Sequence, residues 1–117
     1  MKKLFTVALF FIALTFNAQI TTKESFMGQW TSGGEATEMI VRKTDAGKIE
    51  VLDYSSYSGR QLKVLFINVT NERLVIKTVF EETNWNTTRE FTFTDNNTLV
   101  CRISGDGEGT VIYKRLH

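Results

Sequence analysis

Beyond residue 20 the apolar positions of the chain recur at every second residue. Ile49 and Val51 flank Glu50, Leu99, Cys101 and Ile103 alternate with Val100 and Arg102, and Phe91 and Phe93 alternate with Glu90, Thr92 and Thr94. A period of two places successive side chains on opposite faces of a strand, so one face is buried and the other meets water. Turn residues cluster at Ser32-Gly33-Gly34, Asp45-Ala46-Gly47, Ser58-Gly59, Thr70-Asn71-Glu72, Asn84-Trp85-Asn86, Asp95-Asn96-Asn97 and Gly105-Asp106-Gly107-Glu108-Gly109. Seven turns separate eight segments. A spacing of about 10 to 15 residues leaves no room for the crossover helices that parallel strands require.

Short turns join antiparallel neighbours, and a long antiparallel meander curls and closes because closure removes its two exposed edges. The pattern therefore predicts an all-β fold, an eight-stranded antiparallel up-and-down meander barrel, with a sandwich or half-open sheet as the alternative. The inward set is Trp30, Ile49, Val51, Leu74, Ile76, Phe80, Phe91, Phe93, Leu99, Cys101, Ile103 and Tyr113. Segments 62–69 and 74–80 are partly apolar on both faces, which predicts a covered outer side, by a neighbour, a partner or the chain's own N-terminal segment. One short helical turn is expected at residues 22–27, ahead of the first strand.

The N-terminus has a different pattern. Lys2 and Lys3 precede an apolar run at residues 4–16, interrupted only by Thr6 and Thr15. Such a run is shorter than the roughly 20 residues a membrane helix needs, and it matches the helical signal peptide of an exported protein. Cleavage after Ala18 divides the chain into a signal peptide, 1–18, and a barrel domain, 19–117. No cysteine stands near the cut to take a lipid anchor, so the mature protein is expected to be periplasmic or secreted and to have no stable membrane anchor.

Composition removes several chemistries. The full chain of 117 residues carries 14 Lys plus Arg against 13 Asp plus Glu, a formal charge of +1, and so has no basic excess with which to hold nucleic acid. There is one cysteine, Cys101, and one histidine, His117, so an internal disulfide is impossible and a Cys/His metal site or a histidine base is not expected. Glu81 and Glu82 are adjacent on a strand and face opposite sides. Asp106 and Glu108 lie in a glycine-rich hairpin that turn chemistry explains. No catalytic residues, cofactor or metal are expected.

Phe26-Met27-Gly28-Gln29-Trp30 resembles the F-x-G-x-W opening of the calycin group, which comprises lipocalins, fatty-acid-binding proteins and small bacterial lipocalin-like domains. The resemblance implies that Gly28 and Trp30 form the closed base of the barrel and that Arg115, from the last strand, packs across the indole. A guanidinium over an indole is a favoured contact on physical grounds as well. The chain is shorter than true lipocalins and lacks their disulfide and C-terminal helix.

Two functions follow from these readings. The first is a binding protein that takes a small apolar or amphipathic ligand at the open end of the barrel through Tyr54, Phe80, Trp85, Arg89 and Phe91. Arg89 shares the inward alternation of Phe91 and Phe93, and a buried guanidinium needs an anion, which a ligand carboxylate would provide. The second is a protein-binding module with a barrel filled by its own side chains. A periplasmic protease inhibitor is one form of it, because some bacterial metalloprotease inhibitors have a similar Gly-x-Trp first strand and insert their N-terminal segment, here residues 19–25, into the protease.

Overall fold

The computed structural model describes residues 21–55 and 58–116, so the apolar N-terminal run and its cleavage site lie outside the described residues. Eight strands follow one another: β1 (Gly28–Thr31), β2 (Met39–Lys43), β3 (Ile49–Tyr54), β4 (Gln61–Val69), β5 (Arg73–Phe80), β6 (Trp85–Asp95), β7 (Thr98–Gly105) and β8 (Gly109–Arg115). Each pairs antiparallel with the next, and β8 returns to β1 to close the barrel. The all-β, up-and-down barrel expected from the alternation is the fold observed. Among the described residues no helix is long and apolar enough to cross a membrane.

Hairpin connections alternate between the two ends, which gives the barrel a base and a mouth. The turns β2–β3, β4–β5 and β6–β7 lie at the base, and the connections β1–β2, β3–β4, β5–β6 and β7–β8 lie at the mouth. A 3₁₀ turn at Lys23–Phe26, with Thr22 and Ser25 closing a reciprocal capping box, leads into β1 and seals the base. Phe26 enters the barrel completely, its ring centroid 4.6 Å from that of Phe93, and Trp30 meets Phe93 edge-on at 6.0 Å. The indole nitrogen of Trp30 donates to the Phe26 carbonyl at 3.0 Å, so burial costs it no hydrogen bond. Gly28 begins β1 at φ +137°, a backbone conformation that side chains other than glycine's strain to adopt, and this explains the glycine two residues ahead of the tryptophan.

Arg115 stands directly across from Trp30 in the β1–β8 pairing, with its guanidinium carbon 4.3 Å from the ring centroid. The same group donates to the carbonyls of Met27 at 2.6 Å, Ser25 at 2.8 Å and Asn96 at 2.9 Å, and to the Asn97 side chain at 3.2 Å. It thereby ties the 3₁₀ lead-in, the last strand and the β6–β7 turn into one unit.

Above this base, Met39, Val41, Val51, Leu74, Ile76, Phe91, Leu99 and Cys101 pack the middle of the barrel. The alternation predicted most of this set; Phe26, Met39 and Val41 join it from segments whose periodicity was too short to read.

One local expectation is corrected. Trp85 is the first residue of β6, paired with Phe80, and the turn occupies residues 81–84 with Asn84 at φ +54°. Asparagine tolerates that left-handed conformation, so the turn ends two residues earlier than its composition suggests. On the outer side of segment 62–69, Leu65 and Phe66 are exposed where the β4–β5 register shifts between Val64 and Phe66, and the N-terminal segment expected as one of its covers lies outside the described residues. An extra residue at such a bulge turns neighbouring side chains outward together.

Candidate functional site

The upper third of the barrel is polar. Asp53 on β3, Arg89 on β6 and Tyr113 on β8 project into the lumen from strands that are not hydrogen-bonded to one another. Asp53 is 0% exposed and Arg89 7%, and their carboxylate and guanidinium form an ion pair. Arg89 Nη1 also donates to the Tyr113 hydroxyl at 3.1 Å, and its guanidinium carbon lies 5.8 Å from the centroid of the Phe91 ring beneath it. Burial pushes the Tyr113 hydroxyl's pKa upward against the opposing pull of Arg89. Asp53 Oδ1 and Arg89 Nε have no further hydrogen-bond partner among the described residues. A buried network satisfied only in part is a poor stabilising device, which marks this layer as a site rather than as ordinary core.

Over this floor sits a cup of about 360 Å³. Phe80, Trp85, Leu62, Ile103 and Val111 supply apolar walls, and Tyr54, Ser32, Ser55 and Thr87 supply hydroxyl groups. Trp85 is 51% exposed at the rim. Its indole rests on Gly107 of the β7–β8 connection so closely that a Cβ there would lie 3.2 Å from the ring, and glycine at this position lets the connection lean against the indole. The start of β6 is pinned to the same connection, for Asn86 N–H donates to Asp106 Oδ2 at 2.8 Å and Asp106 N–H donates to the Asn86 carbonyl at 2.9 Å.

On the opposite side Glu38 is buried to 8% exposure at the end of the β1–β2 connection. Its carboxylate accepts from the Thr31 hydroxyl at 2.9 Å, from the Ser32 hydroxyl at 2.8 Å and from the Ser32 N–H. A shallow groove of about 510 Å³ continues from the cup past Ser32, Glu38, Tyr54 and Ser55 between the β1–β2 and β3–β4 connections, with Tyr54 as an aromatic wall.

Of the five residues assigned to ligand binding from the sequence, Tyr54, Phe80, Trp85 and Arg89 line this single cup. Phe91 does not reach it. Its ring is fully buried one layer deeper, 5.3 Å from the Tyr113 ring in an edge contact, where it supports the floor. The expectation that Arg89 awaits a ligand carboxylate is also corrected, because the chain supplies that anion itself from Asp53. The signal for Asp53 was in the alternation: it continues Ile49 and Val51 two residues on, which makes it inward-facing on a strand read only for its apolar members. Glu38 carried no such signal, since it lies in the β1–β2 connection, outside any alternating segment.

Other reactive groups are spent or distant. Cys101 is buried in mid-barrel, and desolvation pushes its thiol pKa up to about 12, which leaves no thiolate nucleophile near neutrality. Among the described residues no group of three or more Cys, His, Asp and Glu side chains is placed to hold a metal ion. Compared with known protein families, with curated proteins and with solved structures, the chain matches none.

Proposed function

We propose that the chain is a non-enzymatic, lipocalin-like binding protein, working in the periplasm or outside the cell, that holds one small amphipathic molecule in the cup at the barrel mouth. The observation that carries this reading is the layering of the lumen: apolar walls and a rim indole stand above a buried polar floor, while everything beneath is packed by side chains. A volume of about 360 Å³ lies within the roughly 300–1,000 Å³ of small-molecule sites, and it admits a short ligand but not one threading the barrel. The F-x-G-x-W opening and the Arg115–Trp30 contact support the lipocalin-like assignment.

The protease-inhibitor reading draws no support from residues 21–26. Thr21 donates its hydroxyl to the Asn71 carbonyl at 2.6 Å, the Lys23 N–H donates to the Asn71 side chain at 3.2 Å, and Phe26 is the plug of the base, so this stretch is fastened to the barrel rather than free to enter a protease.

Amide chemical shifts during a titration with 1-decanol, an uncharged amphiphile, test the binding reading. Shifts concentrated at Tyr54, Thr87, Arg89 and Val111, and weakened in the Phe80→Ala variant, are expected. An absence of saturable shifts at the mouth would sink it.

A further inference from the structure

The ligand of this cup is positively charged: we infer that it is a small organic cation, an alkylammonium or similar head carrying an apolar tail. The inference deepens the function proposed above and rests on it. Its basis is where charge is, and is not, neutralised. Among the described residues the one cation on the floor, Arg89, is paired with Asp53, so the floor presents no net positive charge to the cup. Around the rim, the four mouth connections carry Glu35, Glu38, Glu81, Glu82, Asp106 and Glu108 against a single base, Arg60, which is itself paired with Glu82. Glu38 and Glu108 are part of the cup wall. The base shows no such bias, since Lys23 and Lys48 there stand with Glu24, Asp45 and Glu72.

Carboxylates gathered around a concave, low-dielectric mouth focus a negative potential into it, which draws cations in and repels anions. The walls suit the same guest. Ring faces attract an ammonium group through their quadrupoles, and Trp85, Tyr54 and Phe80 offer three rings around one space. Leu62, Ile103 and Val111 then bury the tail. A fatty carboxylate of equal length would meet the same walls but would bring its charge towards Glu38 and Glu108, with no unpaired base lining the cup among the described residues.

The test compares decyltrimethylammonium, decanoate and 1-decanol, all below their aggregation limits, titrated into the barrel and followed by amide shifts at the mouth. At low ionic strength the cation should bind at least tenfold more tightly than decanoate, with 1-decanol between them. Because exposed charges are screened, the gap should shrink in 0.5 M sodium chloride. It should also narrow in the Glu108→Gln variant, whose exposed position leaves folding intact. Decanoate binding as tightly as the cation, or a preference unmoved by both salt and Glu108→Gln, overturns the charge inference while 1-decanol binding keeps the cup. Failure of all three probes to bind instead removes the proposed function itself.

Discussion

Two arginines occupy opposite ends of the barrel, and they are solvated by the protein in opposite ways. Arg115 at the base spends its guanidinium on three backbone carbonyls and an asparagine side chain and sits over the Trp30 ring. Arg89 at the mouth is more deeply buried, yet it has one carboxylate, one hydroxyl and an Nε without a partner. Neutral carbonyls satisfy a guanidinium without burying a counter-charge, so the base gains both hydrogen bonds and ring contact at modest desolvation cost. A buried ion pair returns little over an apolar pair of the same shape, because both charges must leave water. The comparison teaches that the base holds the fold together, whereas the mouth keeps an expensive polar layer that folding alone does not require.

Substitutions at the two ends break this comparison most directly. Trp30→Ala should cost about 3 to 5 kcal/mol, since the ring is fully buried and the 3₁₀ plug and Arg115 both rest on it; thermal denaturation reads the loss. An unchanged melting temperature would refute the assigned role of the base. Asp53→Ala should cost about 3 kcal/mol, because it strands the Arg89 charge in the lumen, while the double change Asp53→Leu with Arg89→Met should recover most of that. If the double variant is as unstable as the single one, the pair is a structural necessity and the contrast between the ends fails. Arg115→Ala should cost about 2 kcal/mol, measured by urea unfolding, for its hydrogen bonds to the 3₁₀ lead-in and the β6–β7 turn.

Alkaline titration sharpens the comparison at the level of the lumen. Burial raises the Cys101 thiol from 9.0 to about 12, and it raises the Tyr113 hydroxyl as well. A raised folded-state pKa means that the unfolded chain loses its protons first as pH rises. Stability should therefore be level below about pH 8 and fall from pH 9 upward as the unfolded thiol and phenol ionise, a slope that Cys101→Ala should reduce. In the native state at pH 8, Cys101 should resist a disulfide reagent that labels the denatured chain at once. The smallest effect belongs to the outer wall: Arg42→Ala, which removes an exposed 3.2 Å ion pair with Glu50, should move stability by no more than about 0.5 kcal/mol.

The fold was far more legible than the site. Alternation and turn chemistry are local properties, so the strand segments, the turns around Gly33, Gly47, Gly59 and Gly107, and the inward rows of β6 and β7 followed from neighbours in the chain. The Arg115–Trp30 contact was legible on physical grounds, as a guanidinium over an indole, and Gly28 has a plain conformational reason. Trp85 shows the limit: its flanking asparagines read as a turn, while the ladder with Phe80 and the contact with Gly107 place it on a strand at the rim.

What the sequence determined by itself is therefore the barrel, because a period of two with tight turns has few closed solutions. What only the tertiary structure decided is the chemistry of the mouth. Asp53 and Arg89 stand 36 positions apart on strands that never pair, and closure alone brings them across the lumen. Tyr113 joins them from a third strand, and the acidic residues of three separate connections become neighbours only when alternate hairpin ends are gathered at one rim. Local patterning says which way a side chain points, and the closed circuit of hydrogen bonds says what it points at.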